Sequence, residues 1–158
     1  MNQIDGRRIN TMLSPSLQDY LEEMYRLSTK IDEIRVSDIA QILDVSLPSV
    51  VKALHKLSNR GYVVYQPYES IKLTEKGIYE GRFLVQRNQL LKDFLTVLNT
   101  SSDIDKEAES MEHYLSFSTI QAIEKFVHFM KENPDVQRRY DEFYKMQKEE
   151  YLFSDQPR

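Results

Sequence analysis

The stretch from Val36 to Leu73 constrains the fold more than any other part of the chain. From Val36 to about Leu43 the apolar residues Ile39, Ala40, Ile42 and Leu43 follow the spacing of a short amphipathic helix. Asp44-Val45-Ser46 makes a tight connection. Ser46 is placed to cap a second helix, in which Pro48 is tolerated in the first turn and Val50, Leu54 and Leu57 face a core. Arg60-Gly61 ends that helix, with glycine available for a left-handed cap. Tyr62–Gln66 is β-branched and aromatic and reads as a strand. Pro67-Tyr68-Glu69-Ser70 turns the chain, and Ile71-Lys72-Leu73 alternates back as the partner strand. Upstream, Ser14-Pro15-Ser16 opens a helix with the apolar stripe Leu17, Tyr20, Leu21, Met24 and Leu27. Helix, helix, turn, helix, hairpin is the order of a winged helix-turn-helix.

Beyond the hairpin the chain reads as helical throughout. Thr74 is placed to cap a long helix reaching about Leu98, with Leu84, Leu90, Leu91, Phe94, Leu95 and Leu98 on a wide apolar face, before Asn99-Thr100-Ser101-Ser102 breaks it. A helix is expected over about Ile104–Leu115. Another is expected to open on a Ser118–Gln121 capping box, with Ile120, Ile123, Phe126, Val127 and Met130 apolar. Asn133-Pro134 starts a last charged helix, lined on one side by Tyr140, Phe143, Tyr144 and Tyr151. The expected fold is mainly α: an N-terminal winged helix-turn-helix with a small β-hairpin wing, then an all-helical domain. The expected divisions are a tail over 1–13, the winged helix over 14–74, a helical domain over 75–152 whose residues 75–98 form the connecting helix, and a tail over 153–158. In the first tail Arg7 and Arg8 read as solvated residues, with phosphate contact the alternative.

With 158 residues, 41% hydrophobic and 29% charged, the composition is that of an ordinary globular protein. No apolar run approaches the roughly 20 residues needed to cross a bilayer. MNQIDGRRIN has no apolar core, so no secretory leader is expected. The chain contains no cysteine, which removes disulfides, thiolate metal sites and cysteine nucleophiles and fits a cytoplasmic location. A net charge of −4 argues against a protein that coats nucleic acid non-specifically.

Locally the charge reverses. Lys52, Lys56 and Arg60 recur every four residues with no acidic residue between Leu47 and Arg60, forming one basic stripe on a helix. The second helix of a helix-turn-helix enters the major groove by its N-terminus. Pro48, Ser49 and Lys52 are therefore expected nearest base edges, and Lys56, Arg60 and the wing residue Lys72 on phosphates. The ordinary alternative is a winged helix used only for protein contacts. His55 is placed near any bound DNA, and His128 at an apolar edge.

Two further clusters stand outside the winged helix's reading face. Asp19 and Glu22 lie three apart on the first helix, and Glu109, Glu112 and His113 stand at i, i+3 and i+4 in ESMEH. Each spacing puts its side chains on one helical face. Hard oxygen ligands with one imidazole suit a divalent ion such as manganese, with iron(II) or another divalent metal an alternative. Singly, each residue has a plainer reading. Asp19, three after Ser16, suits half of a capping pair or an answer to the helix dipole, the glutamates suit a solvated face, and His113 suits an interfacial hydrogen bond. An enzyme of a different class, a dimetal-carboxylate oxidase in a helical bundle, uses Glu-x-x-His on two helices. Here Glu109 and His113 are i, i+4 and no second copy exists, so a binding protein rather than an enzyme is expected, with no small organic substrate.

The segments PSLQDYLEEMY (15–25), RVSDIAQILDVSLPSVVKALHKL (35–57), YESIKLTEKG (68–77) and ESMEHYLS (109–116) carry a resemblance. Through them residues 14–150 resemble the diphtheria-toxin-repressor family of metal-dependent transcriptional repressors, in its two-domain, manganese-regulating branch. The resemblance implies a homodimer that binds operator DNA and shuts off metal-uptake genes when metal is plentiful. It implies two metal ions per subunit, with Asp19 and Glu22 matching the first-helix ligands and Glu109, Glu112 and His113 the later ones. It also marks a departure: in VQRNQLLKDFL, Asn88 stands where the family has a histidine ligand. An amide oxygen is a weaker donor than imidazole. Asn88 then ligates through oxygen, or water replaces it, or one metal alone binds well. Loss of metal control through Asn88 is the remaining alternative.

Overall fold

The computed structural model describes residues 13–154, with side chains to residue 147. Arg7, Arg8 and the side chain of Tyr151 lie outside the described residues. Helix α1 spans Pro15–Ser28. Its N-cap is Ser14, with Pro15 in the first turn where its missing N–H has no intrahelical partner to lose. Leu17, Tyr20, Leu21 and Met24 are buried along it. The preceding Leu13, expected in the tail, is buried too, and its carbonyl accepts from Gln18 Nε2 at 3.1 Å.

Helix α2 spans Val36–Ile42; Asp38 Oδ2 accepts from the N–H of Arg35, its N-cap, at 2.8 Å. Asp44 turns the chain with φ +50, and the Val45 N–H returns to the Ala40 carbonyl at 3.0 Å. Helix α3 spans Leu47–Asn59. Ser46 Oγ accepts from the Ser49 N–H at 3.3 Å. At the far end Gly61 adopts φ +75, while Tyr62 N–H reaches Leu57 O at 3.0 Å and Gly61 N–H reaches Ser58 O at 2.9 Å. That pairing is a Schellman cap, and only glycine enters it without strain.

The wing is shorter than its β-propensity suggests. Strands β1 (Val63–Val64) and β2 (Lys72–Leu73) pair antiparallel, Val63 opposite Leu73 and Val64 opposite Lys72. Tyr62 is spent on the Schellman cap, and Gln66 on the turn, where its carbonyl accepts from Glu69 N–H at 3.2 Å. An isolated bridge, Ile34 to Ile71, ties the wing to the segment before α2.

Helix α4 spans Glu75–Val97. Thr74 Oγ1 accepts from Gly77 N–H at 3.0 Å and donates to the Gly61 carbonyl at 2.7 Å, so one hydroxyl starts α4 and pins it to the end of α3. A Cβ at Gly77 would overlap the Tyr62 carbonyl oxygen, so glycine is required by this approach. The chain forms two compact units, the first ending at Arg87 and the second beginning at Asn88, inside α4. In the first, Leu21, Met24, Ile39, Val50, Leu54, Leu57, Val63 and Leu84 make a closed core. Glu80 is buried there, 7% exposed, and its Oε1 finds no hydrogen-bond partner among the described residues. Burial pushes its carboxyl up to about 7, against the pull of Arg87 and Lys76.

In the second unit α4 is followed by α5 (Ile104–Glu112), α6 (Phe117–Glu132) and α7 (Pro134–Ser154). Leu91, Leu95, Ala108, Ile120, Val127 and Met130 are its core. The last carbonyls of α4 are met by α7: Gln137 Nε2 donates to Val97 O and Tyr140 Oη to Leu98 O, both at 3.1 Å. Two expectations are corrected here. α5 stops at Glu112, not Leu115, because the Tyr114 N–H closes a turn on the Met111 carbonyl. Ser116, not Ser118, caps α6, accepting from Thr119 N–H at 3.2 Å, while Ser118 Oγ meets Ser116 Oγ at 2.9 Å. α7 itself runs through Ser154, past the expected boundary of the C-terminal tail at 153.

Candidate metal centre and nucleic-acid interface

In the first unit the amphipathicity of α3 decides what faces outward. Val50, Ala53, Leu54 and Leu57 are buried, so the opposite face carries Pro48, Ser49, Lys52, Lys56 and Arg60, all exposed. Lys72, on β2, is exposed as well. In the first turn of α3, Ser46 Oγ and Ser49 Oγ lie 2.8 Å apart, in addition to the cap. His55 packs edge-on against Tyr65 of the wing, ring centroids 5.4 Å apart. An open groove of ≈740 Å³ runs between the start of α2, the start of α3 and the wing turn. Arg35, Ser37, Leu47, Val51, Tyr65 and Tyr68 are among its lining residues. Sequence reasoning missed Arg35 and Tyr68. Arg35 was legible as a basic residue directly before α2. Tyr68 carries no local signal, since its φ of +70 and complete exposure are products of the turn.

On α1, Asp19 is half-buried and Glu22 buried at 6% exposure. Ser14, not Ser16, is the N-cap, so Asp19 lies in the second turn and is not half of a capping pair. Burying a carboxylate is costly without compensation. For Glu22 the compensation is Arg26, whose Nη2 sits 2.6 Å from Glu22 Oε1 one turn along the helix. Arg26 also approaches Glu23 at 3.3 Å. Burial nevertheless raises the Glu23 carboxyl above its ordinary value, against Arg26 and with the neighbouring Glu22. The Glu22–Arg26 pair was legible as an i, i+4 spacing and was not singled out from the sequence.

In the second unit, Glu112 ends α5 and His113 is its C-cap, still helical at φ −83, ψ −15. Glu112 is 3% exposed, His113 half-buried and Glu109, one turn earlier, exposed. His113 Nε2 lies 3.6 Å from Glu112 Oε1. Asn88, 8% exposed on α4, donates from Nδ2 to Glu112 Oε2 at 3.2 Å. The fold therefore brings Asn88, Glu112 and His113 together from two helices. By type, a carboxylate oxygen and an imidazole nitrogen suit a hard or borderline divalent ion. A metal here would draw on the carboxylate of Glu112 and the imidazole of His113; Glu109, one turn earlier, is exposed.

A winged helix with a free basic recognition face, joined in sequence to a helical unit that buries a carboxylate beside an imidazole, defines a metal-binding DNA regulator. Residues 12–71 match the family described as iron dependent repressor, N-terminal DNA binding domain, and residues 74–141 match iron dependent repressor, metal binding and dimerisation domain. The chain belongs to the iron-dependent repressor family. It is 40% identical over 131 residues to the HTH-type transcriptional regulator MntR of Lysinibacillus sphaericus (strain C3-41), covering 82% of this chain and 94% of that protein. It is 39% identical over 138 residues to the MntR of Shouchella clausii (strain KSM-K16), covering 87% and 94%. Among solved structures, the manganese regulator SloR is 31% identical with a TM-score of 0.64, over 74% of this chain and 55% of that one. A manganese-dependent transcriptional repressor in complex with manganese is 25% identical with a TM-score of 0.64, over 72% and 53%. The chain thus spans about half the length of these solved chains. No helix among the described residues is long and apolar enough to cross a membrane.

Proposed function

We propose that this chain is a manganese-responsive, sequence-specific repressor of metal-uptake genes, acting in the cytoplasm as a homodimer on operator DNA. Asp19 and Glu22 of α1 and Glu109, Glu112 and His113 of α5 are the protein ligands. The observation that carries the reading is the burial of Glu112 beside His113 at the end of α5. A carboxylate withdrawn from water next to an imidazole is more readily explained by a cation than by surface chemistry.

The ligands carry four carboxylates, and two brought within ~5 Å repel by about 3 kcal/mol at an effective dielectric of ~20. These carboxylates would hold a divalent ion whose charge would offset that repulsion. A dimer must present two recognition helices roughly 34 Å apart to match half-sites on one face of the duplex. A dimer whose DNA-binding units are loosely held meets that spacing rarely. Ordering them in advance lowers the entropy lost on binding and couples metal to DNA by about 1–3 kcal/mol. Pro48, Ser49 and Lys52 then read bases from α3, while Lys56, Arg60 and Lys72 hold phosphates. Membership of a family of repressors supports a binder and not a catalyst.

Selection of duplexes from a random-sequence pool by the full chain tests this. With manganese the pool should converge on a two-fold palindrome. With a chelator at the same salt, enrichment should fall about 5- to 150-fold, as the coupling requires. Equal enrichment in the two arms would reject metal control.

A further inference from the structure

We propose that Asn88 is a positioning residue that aims the Glu112 carboxylate, not a metal ligand, and that each subunit consequently takes one manganese ion. This rests on the metal-centre reading above. A carboxylate only accepts hydrogen bonds, whereas an amide offers both a donor nitrogen and an acceptor oxygen. Facing Glu112, the amide must turn its N–H₂ toward the carboxylate, because the opposite orientation would set oxygen against oxygen in a buried place. The geometry agrees: Asn88 Nδ2 donates to Glu112 Oε2 at 3.2 Å, with the two residues 8% and 3% exposed.

This hydrogen bond limits where an ion can sit. The Asn88 hydrogens carry positive partial charge at Oε2, so a cation there would be repelled by them. The other oxygen, Oε1, points to the His113 side, 3.6 Å from Nε2. Glu112 is thereby disposed to serve one ion through Oε1 and not to bridge two. Four carboxylates and one imidazole would come close to supplying the donors one six-coordinate ion needs, and would fall short for two once Glu112 serves through a single oxygen.

Manganese titrated into the full chain by equilibrium dialysis, with electron paramagnetic resonance on the loaded protein, tests the proposal. The wild type should bind one ion per subunit and give the six-line spectrum of isolated manganese(II). Asn88→Ala should remain at one ion but bind ~10- to 100-fold more weakly, the usual loss when an outer partner of a ligand is removed. Asn88→His, which supplies an imidazole, should gain a second ion and a spectrum broadened by coupling between the two. Circular dichroism of each metal-free variant checks that it is folded. Two coupled ions in the wild type, or an Asn88→Ala affinity equal to wild type, would overturn the positioning role while leaving the metal centre intact. No manganese bound by the wild type would overturn the metal-centre reading itself.

Discussion

Glu80 makes the first unit sensitive to pH, and its burial sets the size of the effect. Its carboxyl is raised from an ordinary 4.5 to about 7 in the folded chain, by desolvation first, with Arg87 and Lys76 pulling the other way. A carboxyl raised by folding favours the native state while it is protonated. That stability is fully present below pH 4.5 and is lost as pH rises through about 7. At ~1.4 kcal/mol per pKa unit the full loss is about 3 kcal/mol, an upper bound because a partly hydrated site relaxes. Glu80→Gln keeps the shape and removes the titration. Urea unfolding of both proteins from pH 4.5 to 8.5, in chelator so that metal does not contribute, isolates the difference. The wild type should lose about 1.5–3 kcal/mol relative to Glu80→Gln across the window, with other titrating groups cancelling between the two. Parallel stability profiles would refute the argument, since a carboxyl with the same pKa folded and unfolded contributes no pH dependence to stability.

Gly77→Ala places a methyl against the Tyr62 carbonyl, where α4 leaves the wing; overpacking of this kind costs about 1–3 kcal/mol, and an unchanged melting temperature by circular dichroism would show that the contact yields freely. Lys56→Ala should lower the slope of log affinity against log salt by ~0.9 on a selected duplex without changing sequence preference, and an unchanged slope would remove Lys56 from the phosphate contacts.

The parts of this fold that were legible in the sequence are those written in local chemistry. Ser46 with Pro48 opens α3 and Gly61 closes it, and each acts through hydrogen bonds to residues a few positions away. The wing was legible as a hairpin but not in length, because Tyr62 and Gln66 have strand-forming side chains whose backbone groups are claimed by the cap of α3 and by the turn. The end of α5 escaped for a similar reason: helical spacing continues through Leu115, while the backbone has already turned on Met111. The same division runs through the proposed metal ligands. The candidate residue types and their helical spacing were plain from ESMEH and from Asp19 and Glu22. That Glu22 and Glu112 are buried was not, because charge alone argues for exposure and only tertiary packing overrides it. Asn88 is the extreme case. Its amide can present oxygen to a cation or N–H to an anion, and nothing adjacent in sequence chooses between them. The choice is made by Glu112, brought from 24 residues away. An amide thus reads from the chain as a weakened ligand, whereas in the folded unit Asn88 donates an N–H to Glu112, which on the reading proposed above makes it a residue that aims that carboxylate and not a partner in holding the ion.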